Sequence, residues 1–351
     1  MSAFALQSIC LALSLLWITT CPEARENEVL FHESATVEIT AAAARDHRWT
    51  HLNPANTIRD ILNHPAFVGF SRLILPWDGR SHGADMPLSR IGSLLPFHSD
   101  VAPAVVTGAL NRMIDDASKG RRVFYDIHTE AQKREDPTRQ NTGLFFFRGR
   151  PGAPFAIISP GGGFAYVGAV HEGFPYAAEI SRQGYNAFVL RYRAGLGSRV
   201  ATEDLAAAIS YVFRNADALG VSIQGYSLWG SSAGARMAAA IGSHGAAAFG
   251  GADLPKPATV VMAYTAHSDV SSDEPPTFVV VGERDGVAPP SAMRRRVASL
   301  RRMGTAVEYH EFPGLGHGFG PGTGTPAEGW IIGATRFWEK SIKGRDAHGE
   351  E

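Results

Sequence analysis

An α/β fold built on a mostly parallel sheet is predicted by three features of this sequence. Eight short apolar runs suit strands, and several are continuous rather than alternating in polarity, as is typical of strands buried on both faces. Helical patterns separate most of these runs. Strands separated by helices favour parallel pairing through right-handed crossovers. The predicted strands cover residues 123–127, 144–147, 155–159, 186–191, 226–229, 259–264, 277–281 and 307–312.

Length and composition agree with this fold class and exclude some functions. A chain of 351 residues, 44% hydrophobic and 19% charged, can form one large α/β domain with extra segments, or two domains. Its 33 basic and 34 acidic side chains give a formal net charge of −1, which does not favour nucleic acid as a partner. The sequence has neither paired cysteines nor an H-E-x-x-H motif, so we expect no metal site and no cofactor.

The N-terminal residues differ from the rest of the chain. Residues 4–20 are apolar and uncharged, and this length suits the core of a signal peptide better than a membrane span. We therefore predict a signal peptide over residues 1–24, export to the periplasm or the exterior, and no membrane span once it is removed. The alternative is a buried helix or a misassigned start site, which would leave the protein in the cytoplasm. Cys10 and Cys21 both lie in this segment, so the remaining chain can form no disulfide.

The chain then divides into three parts. Residues 25–120 contain apolar side chains such as Trp49, Phe67 and Trp77, and we expect an extension packed on the sheet domain, lining one wall of the site. Residues 121–343 form the sheet domain, and residues 344–351 form a polar tail.

Three helices of the sheet domain are indicated by spacing and composition. Thr202 is expected to cap one helix, with two acidic residues in its first turn. Residues 233–241 are rich in alanine and predict a second helix. Residues 291–303 predict a third, and its basic side chains Arg294, Arg295 and Arg296 are expected to lie on a solvated face.

A candidate nucleophile lies between the strand at 226–229 and the alanine-rich helix. The segment is Gly230-Ser231-Ser232-Ala233-Gly234. A sharp strand-to-helix turn needs small flanking residues, and it would place the Ser232 hydroxyl above the sheet. The five-residue pattern alone is weak, but its position between a strand and a helix favours a nucleophile elbow.

A base and an acid follow in the order expected for such a serine. Asp285 comes just after the strand at 277–281. His317 lies between glycines in the loop after the strand at 307–312. A serine hydroxyl needs a histidine as base, held by a carboxylate, and the chain order Ser, Asp, His differs from the two common serine-protease orders. Asp269 and Asp273 are alternative acids, although Asp285 has the better position at a strand end.

A glycine-rich loop supplies candidate oxyanion donors. Pro160-Gly161-Gly162-Gly163-Phe164 directly follows the strand at 155–159. Acyl transfer needs backbone N–H groups that approach the oxyanion closely, and glycines allow this. We expect the N–H of Gly162 or Gly163 to act with that of Ala233. A plain turn or an anion-binding loop is the alternative, and the position before the elbow favours the oxyanion interpretation.

Two charged residues follow the glycine-rich loop. His171 and Glu172 are expected either to line the pocket for the acyl or leaving group, or to form a surface pair.

From residue 123 onward, about two-thirds of the chain resembles the α/β-hydrolase superfamily. It is most similar to the esterase/lipase branch that includes bacterial carboxylesterases and carbohydrate acetyl esterases. The segments that carry the resemblance are residues 160–164, 189–193, 204–205, 230–234, 282–290 and 316–318. Pro160 stands where hormone-sensitive-lipase-like members carry histidine. The resemblance implies an eight-stranded sheet flanked by helices and a Ser232–His317–Asp285 triad.

These observations predict a serine hydrolase that cleaves carboxylic esters, with short-chain or acetyl esters of small molecules or carbohydrates as substrates. Ser232 would carry the acyl group, His317 would act as general base, and Asp285 would orient it. A serine peptidase of the prolyl-oligopeptidase type is one alternative. A non-catalytic binding protein with a hydrolase fold is another.

Overall fold

Eight strands pair in the order β1-β2-β4-β3-β5-β6-β7-β8 in the computed structural model, which describes residues 49–80 and 82–348. β2 is antiparallel to both β1 and β4, and every later neighbour pair is parallel. All eight predicted strands are present. Their bounds are Phe124–Tyr125 (β1), Gly143–Phe147 (β2), Pro154–Ser159 (β3), Asn186–Arg191 (β4), Ser222–Ser231 (β5), Thr259–Ala263 (β6), Thr277–Gly282 (β7) and Val307–Phe312 (β8).

Helices cover the sheet. Within the part of the chain that the structure describes, the α-helices are Ile58–Asn63 (α1), Ser71–Ile74 (α2), Pro103–Ser118 (α3), Glu130–Glu135 (α4), Phe174–Arg182 (α5), Gly197–Arg214 (α6), Ala216–Leu219 (α7), Ala233–His244 (α8), Pro290–Arg302 (α9) and Trp330–His348 (α10). A π-helical turn, Ala169–Gly173, leads directly into α5. α6 packs against α8, whereas α5 packs against α3 and α10. None of the described helices combines the length and the apolar character that a membrane crossing requires.

The central strands are buried along their whole length and mostly apolar, because they are covered on both faces. Every residue of β2, β4, β6 and β7 is buried. Aromatic rings cross between strands, and Phe146 of β2 stacks on Phe188 of β4 with ring centroids 4.2 Å apart. β8 differs, since it lies at the edge of the sheet and all six of its residues are half-buried. The buried strands form a stiff platform, and the loops at their carboxyl ends carry the predicted site residues.

The expected cap at Thr202 is wrong. The helix begins five residues earlier, at Gly197, and the Thr202 hydroxyl donates to the Ser198 carbonyl (2.7 Å) inside the helix. Asp204 therefore does not lie in the first turn of the helix. Its buried carboxylate accepts from the Arg193 guanidinium at 2.7 Å, so its charge is used in a salt bridge.

Arg296 also departs from the expected solvated face. Arg294 and Arg295 are exposed, but the Arg296 side chain is buried and pairs with the equally buried Glu274 at 2.9 Å. At the C-terminus, α10 continues to His348 and so includes the first five residues of the segment predicted as a polar tail. The predicted signal peptide and both cysteines lie outside the described residues.

The described part of the extension shares the core of the sheet domain. Leu52, Phe67 and Leu110 are buried in the same apolar cluster as the strands. The Trp77 ring packs on Tyr166, which follows the glycine-rich loop, with centroids 4.6 Å apart. The Arg191 guanidinium of β4 donates to the Leu75 carbonyl at 3.0 Å and pairs with Asp78 at 2.6 Å. The last two contacts place residues 75–78 beside the strand and loop that lead to the candidate site.

Candidate active site

Ser232 occupies a sharp turn between β5 and α8. Its φ of 50° and ψ of −114° are unusual for a residue with a side chain. The backbone on both sides requires glycine, because a Cβ at Gly230 would lie 2.3 Å from the Gly234 carbonyl oxygen, and one at Gly234 would lie 1.9 Å from the Ser159 carbonyl oxygen. The Ser232 N–H donates to the Ala263 carbonyl at 2.8 Å, which ties the turn to β6. The strand–turn–helix arrangement is therefore the one predicted from the sequence.

His317 and Asp285 come together at this turn. His317 Nε2 lies 2.9 Å from Ser232 Oγ, and His317 Nδ1 lies 2.8 Å from Asp285 Oδ2. The other Asp285 oxygen accepts from the N–H groups of Val287 (2.9 Å) and Ala288 (2.7 Å), so the carboxylate has a fixed orientation. A proton on Nδ1, facing Asp285, leaves the Nε2 lone pair facing the hydroxyl. Serine, histidine and aspartate thus form one chain of hydrogen bonds.

The alternative acids lie elsewhere. The Asp269 side chain is 61% exposed and pairs with His244 at 3.0 Å. Asp273 pairs with Lys256 at 3.1 Å. Of the three carboxylates considered from the sequence, Asp285 is the one that contacts His317.

The glycine-rich loop lies directly against the nucleophile turn. A Cβ at Gly161 would come within 3.0 Å of Ser232 Cβ. The backbone then has positive φ at Gly162 (129°) and Gly163 (62°). Within the described ranges, the N–H groups of Gly162 and Gly163 donate to no acceptor. Ala233 is the first residue of α8, so no carbonyl of its own helix accepts its N–H. The loop and the helix start thus supply free donors beside the serine.

A buried polar cluster behind the loop was not predicted. Glu172 is completely buried and His171 nearly so, which rules out the expected surface pair. One Glu172 oxygen accepts from the Gly161 N–H at 2.5 Å, and the other accepts from the Tyr264 hydroxyl at 2.7 Å and lies 3.0 Å from His98 Nε2. Because Glu172 bonds to protein groups on both of its oxygens, it also does not fit the expected pocket-lining role.

The environment of Glu172 keeps it ionised. Burial raises the pKa of its carboxyl group, but the His98 charge, together with hydrogen bonds from His98 and Tyr264, lowers the pKa to about 2. No local pattern could have indicated this cluster, since His98 and Tyr264 are far from residue 172 in the sequence. The only available signal was a charged pair next to a glycine-rich loop.

Residues 97–99 of the extension contact two loops of the site, the glycine-rich loop and the loop that carries His317. Phe97 lies beside Gly163, where an added Cβ would come within 3.1 Å of the ring. Ser99 donates its hydroxyl to the His317 carbonyl and its N–H to the Gly318 carbonyl, both at 3.1 Å. Residues 97–99 therefore lie beside both the glycine-rich loop and the loop that carries His317.

Comparison with known proteins agrees with the fold. The BD-FAE family model matches residues 149–252, which include the glycine-rich loop and the Ser232 turn. A search of curated proteins finds no match. One similar solved structure is an α/β-hydrolase enzyme from a Medee basin deep-sea metagenome library. It is 23% identical, with a TM-score of 0.53, and the match covers 63% of this chain and 97% of that one.

Two further structures have comparable scores. A sugar hydrolase from Lactococcus lactis is 21% identical with a TM-score of 0.50, and the match covers 58% of this chain and 95% of that one. An acetyl ester-xyloside bifunctional hydrolase from Caldicellulosiruptor lactoaceticus is 20% identical with a TM-score of 0.50. The match covers 64% of this chain and 96% of that one. At these identities the likeness concerns the fold. The chain has the α/β-hydrolase fold, so the predicted fold class is confirmed.

Proposed function

We propose that this protein is a serine hydrolase that cleaves carboxylic esters through an acyl-enzyme on Ser232. The observation that carries the proposal is the hydrogen-bond chain Ser232–His317–Asp285, next to backbone N–H groups that find no acceptor among the residues the structure describes. The BD-FAE match over the loop and the turn also supports it.

The reaction follows from the positions of these groups. His317 Nε2 accepts the Ser232 proton as Oγ attacks the ester carbonyl carbon, and Asp285 stabilises the resulting imidazolium. The carbonyl oxygen becomes an oxyanion, which the N–H groups of Gly162, Gly163 and Ala233 stabilise. The C–O bond to the alcohol then breaks, and His317 gives the proton to the leaving oxygen. Water, deprotonated by His317, attacks the acyl carbon; the bond to Ser232 Oγ breaks, and His317 returns the proton to Oγ, which frees the acid and the serine.

We propose short-chain or acetyl esters of a small-molecule or carbohydrate alcohol as substrates. The structure from Caldicellulosiruptor lactoaceticus is named for acetyl ester hydrolysis, which makes acetyl esters the first substrates to test.

The test is hydrolysis of p-nitrophenyl esters of increasing acyl length by wild type and Ser232→Ala. We expect the highest kcat/KM with the shortest acyl groups, and a loss of kcat of at least about 10³-fold in the variant. Ser118→Ala, at an exposed serine that ends α3, is the matched control and should keep wild-type activity. Ester turnover that persists in Ser232→Ala would refute the acyl-enzyme.

The same protein preparations distinguish the two alternatives. A fluorophosphonate probe should label wild type and not Ser232→Ala. Labelling combined with cleavage of peptide amides but not esters would indicate the peptidase. Absence of labelling and turnover would indicate a binding protein.

We also propose that the protein is exported and loses residues 1–24. The apolar, uncharged run at residues 4–20 supports this proposal. Intact-mass measurement of the protein recovered from the exported fraction tests it, and a mass that includes residues 1–24 would contradict it.

A further inference from the structure

Two side chains bond to the backbone of the glycine-rich loop: the Tyr192 hydroxyl donates to the Pro160 carbonyl at 3.0 Å, and the Glu172 carboxylate accepts from the Gly161 N–H. Gly161 donates to the carboxylate at 2.5 Å and is the loop residue that lies against Ser232 Cβ. Glu172 belongs to the π-helical turn Ala169–Gly173, which packs against α5 and β4. The carboxylate therefore connects the loop to a buried part of the domain. It also fixes the direction of the backbone just before Gly162 and Gly163.

The other Glu172 oxygen faces the histidine side of the site. It accepts from the Tyr264 hydroxyl, and the Tyr264 ring packs edge-on against the His317 ring with centroids 5.2 Å apart. Tyr264 follows β6 and has a φ of 35°, so its backbone is held in an unusual conformation. Glu172 is thus bonded to the loop on one side and to a neighbour of His317 on the other.

His98 completes the surroundings of Glu172 from the extension. Its side chain is 2% exposed, and its ring nitrogens lie 3.0 Å from Glu172 and 2.8 Å from the Tyr166 hydroxyl. The next residue, Ser99, bonds to the backbone of the His317 loop. The family model begins at residue 149, so it does not include this segment.

We propose that Glu172 is a positioning residue that holds the glycine-rich loop in register with Ser232, and that His98 from the extension holds Glu172 in place. This inference rests on the proposed function for its kinetic consequence only, since the hydrogen bonds exist whatever the site does.

The feature of Glu172 that matters is its ability to form these hydrogen bonds, and not its charge. A negative charge close to a developing oxyanion opposes that oxyanion. An amide at this position keeps one acceptor oxygen, which can face Gly161, and gains an NH₂ group with two donors. Once the carboxylate that pairs with His98 is gone, the His98 ring can present an unprotonated Nε2, so those donors can reach both it and the Tyr264 hydroxyl. Tyr264 can then donate to the Tyr176 hydroxyl, 2.9 Å away. Glu172→Gln can therefore keep the whole arrangement, whereas Glu172→Ala removes it.

The test compares both variants in the full-length protein by amide hydrogen exchange and by kinetics. In Glu172→Ala we expect exchange of the peptide spanning residues 161–168 to rise at least about tenfold, because the Gly161 N–H loses its acceptor. We expect kcat to fall about 10²-fold with KM changed less than about threefold, since misplaced oxyanion donors affect the transition state most. In Glu172→Gln we expect exchange and kcat to stay within about threefold of wild type.

Glu274→Ala is the matched control for loss of a buried carboxylate. Glu274 pairs with Arg296, with both side chains 1% exposed, and it precedes β7 at the opposite end of the strand from Asp285. It should lower stability but leave the exchange of residues 161–168 and kcat unchanged.

Unchanged exchange in Glu172→Ala would overturn the proposal, as would equal losses of kcat in folded Glu172→Ala and Glu172→Gln. If Glu172→Ala does not fold, His98→Ala takes its place. It should raise exchange at residues 161–168 and lower kcat about tenfold, and no change in either would overturn the proposal. If wild type hydrolyses no ester, the proposed function fails and the exchange measurements alone decide this inference.

Discussion

Gly234→Ala should damage both the stability and the activity of this protein. The added Cβ would lie 1.9 Å from the Ser159 carbonyl oxygen and 2.7 Å from that of Pro160. Both atoms are backbone, so no side chain can move away to relieve the contact. Overpacking in a tight interior costs about 1–3 kcal/mol, and a clash between backbone atoms belongs at the upper end of that range. For a domain of about 300 residues, with an unfolding entropy of about 2.1 cal/mol/K per residue, the cost corresponds to a fall in melting temperature of roughly 1.5 °C per kcal/mol.

The clash also separates the two parts of the candidate site. Ser159 ends β3 and leads into the glycine-rich loop, whereas Gly234 lies in the first turn of α8 next to Ser232. Relieving the contact moves the loop away from the nucleophile. A displacement of about 1 Å can reduce kcat about 10²-fold. The loss of activity should therefore exceed what the fraction of unfolded protein explains at the assay temperature.

Thermal unfolding and ester hydrolysis measure the two effects, and Gly108→Ala is the matched control. Gly108 lies on the exposed side of α3, and a Cβ there meets nothing within 4 Å. Alanine in a helix interior should raise stability by about 0.5–1 kcal/mol and leave kcat unchanged. If Gly234→Ala melts at the wild-type temperature with wild-type kcat, the reasoning about the elbow is refuted.

Two further predictions concern the carboxylates and histidines. Asp285→Asn should lower kcat/KM by about 10³–10⁴-fold in a folded protein because the amide favours the wrong His317 tautomer, whereas Asp269→Asn should match wild type in the same ester assay. Burial lowers the pKa values of His128, His171 and His267 from 6.5 to about 4. Between pH 4 and 6.5 the unfolded chain therefore binds more protons at these histidines than the folded protein does. The free energy of unfolding should fall as the pH drops from 6.5 towards 4. Urea denaturation between pH 6.5 and 4 checks this prediction, and a urea midpoint that does not change with pH would contradict it.

The sheet could be predicted because burial on both faces leaves a local mark in the sequence. β2, β4 and β7 each contain a continuous apolar run of at least four residues, and their predicted positions agree with the structure to within one residue at each end. β5 was predicted too short. Its first four residues include Ser222 and Gln224, which are less buried than the rest of the strand and do not look like strand residues in isolation.

The errors arose where a charge has a distant partner. Asp204 looked like an acid at a helix start, and Arg296 looked like one of a run of solvated arginines. Each instead forms a buried ion pair, with Arg193 and with Glu274. Sequence spacing shows which side chains share a helix face, but it does not show what packs against that face. The Glu172 cluster was missed for the same reason, because it is assembled from three separate segments.

The contacts of residues 97–99 affect how this chain can be divided or recombined. A chimera that exchanges only residues 121–343, the part of the chain that looks like an independent module, leaves Phe97, His98 and Ser99 behind. The Tyr166 hydroxyl and the His317 carbonyl would then lose these partners, and the Gly318 carbonyl would keep His171 Nε2 but lose Ser99. A graft intended to preserve the site therefore has to start before residue 97. In this protein the segment that must be moved together to keep the site's contacts is therefore longer than the sheet domain itself.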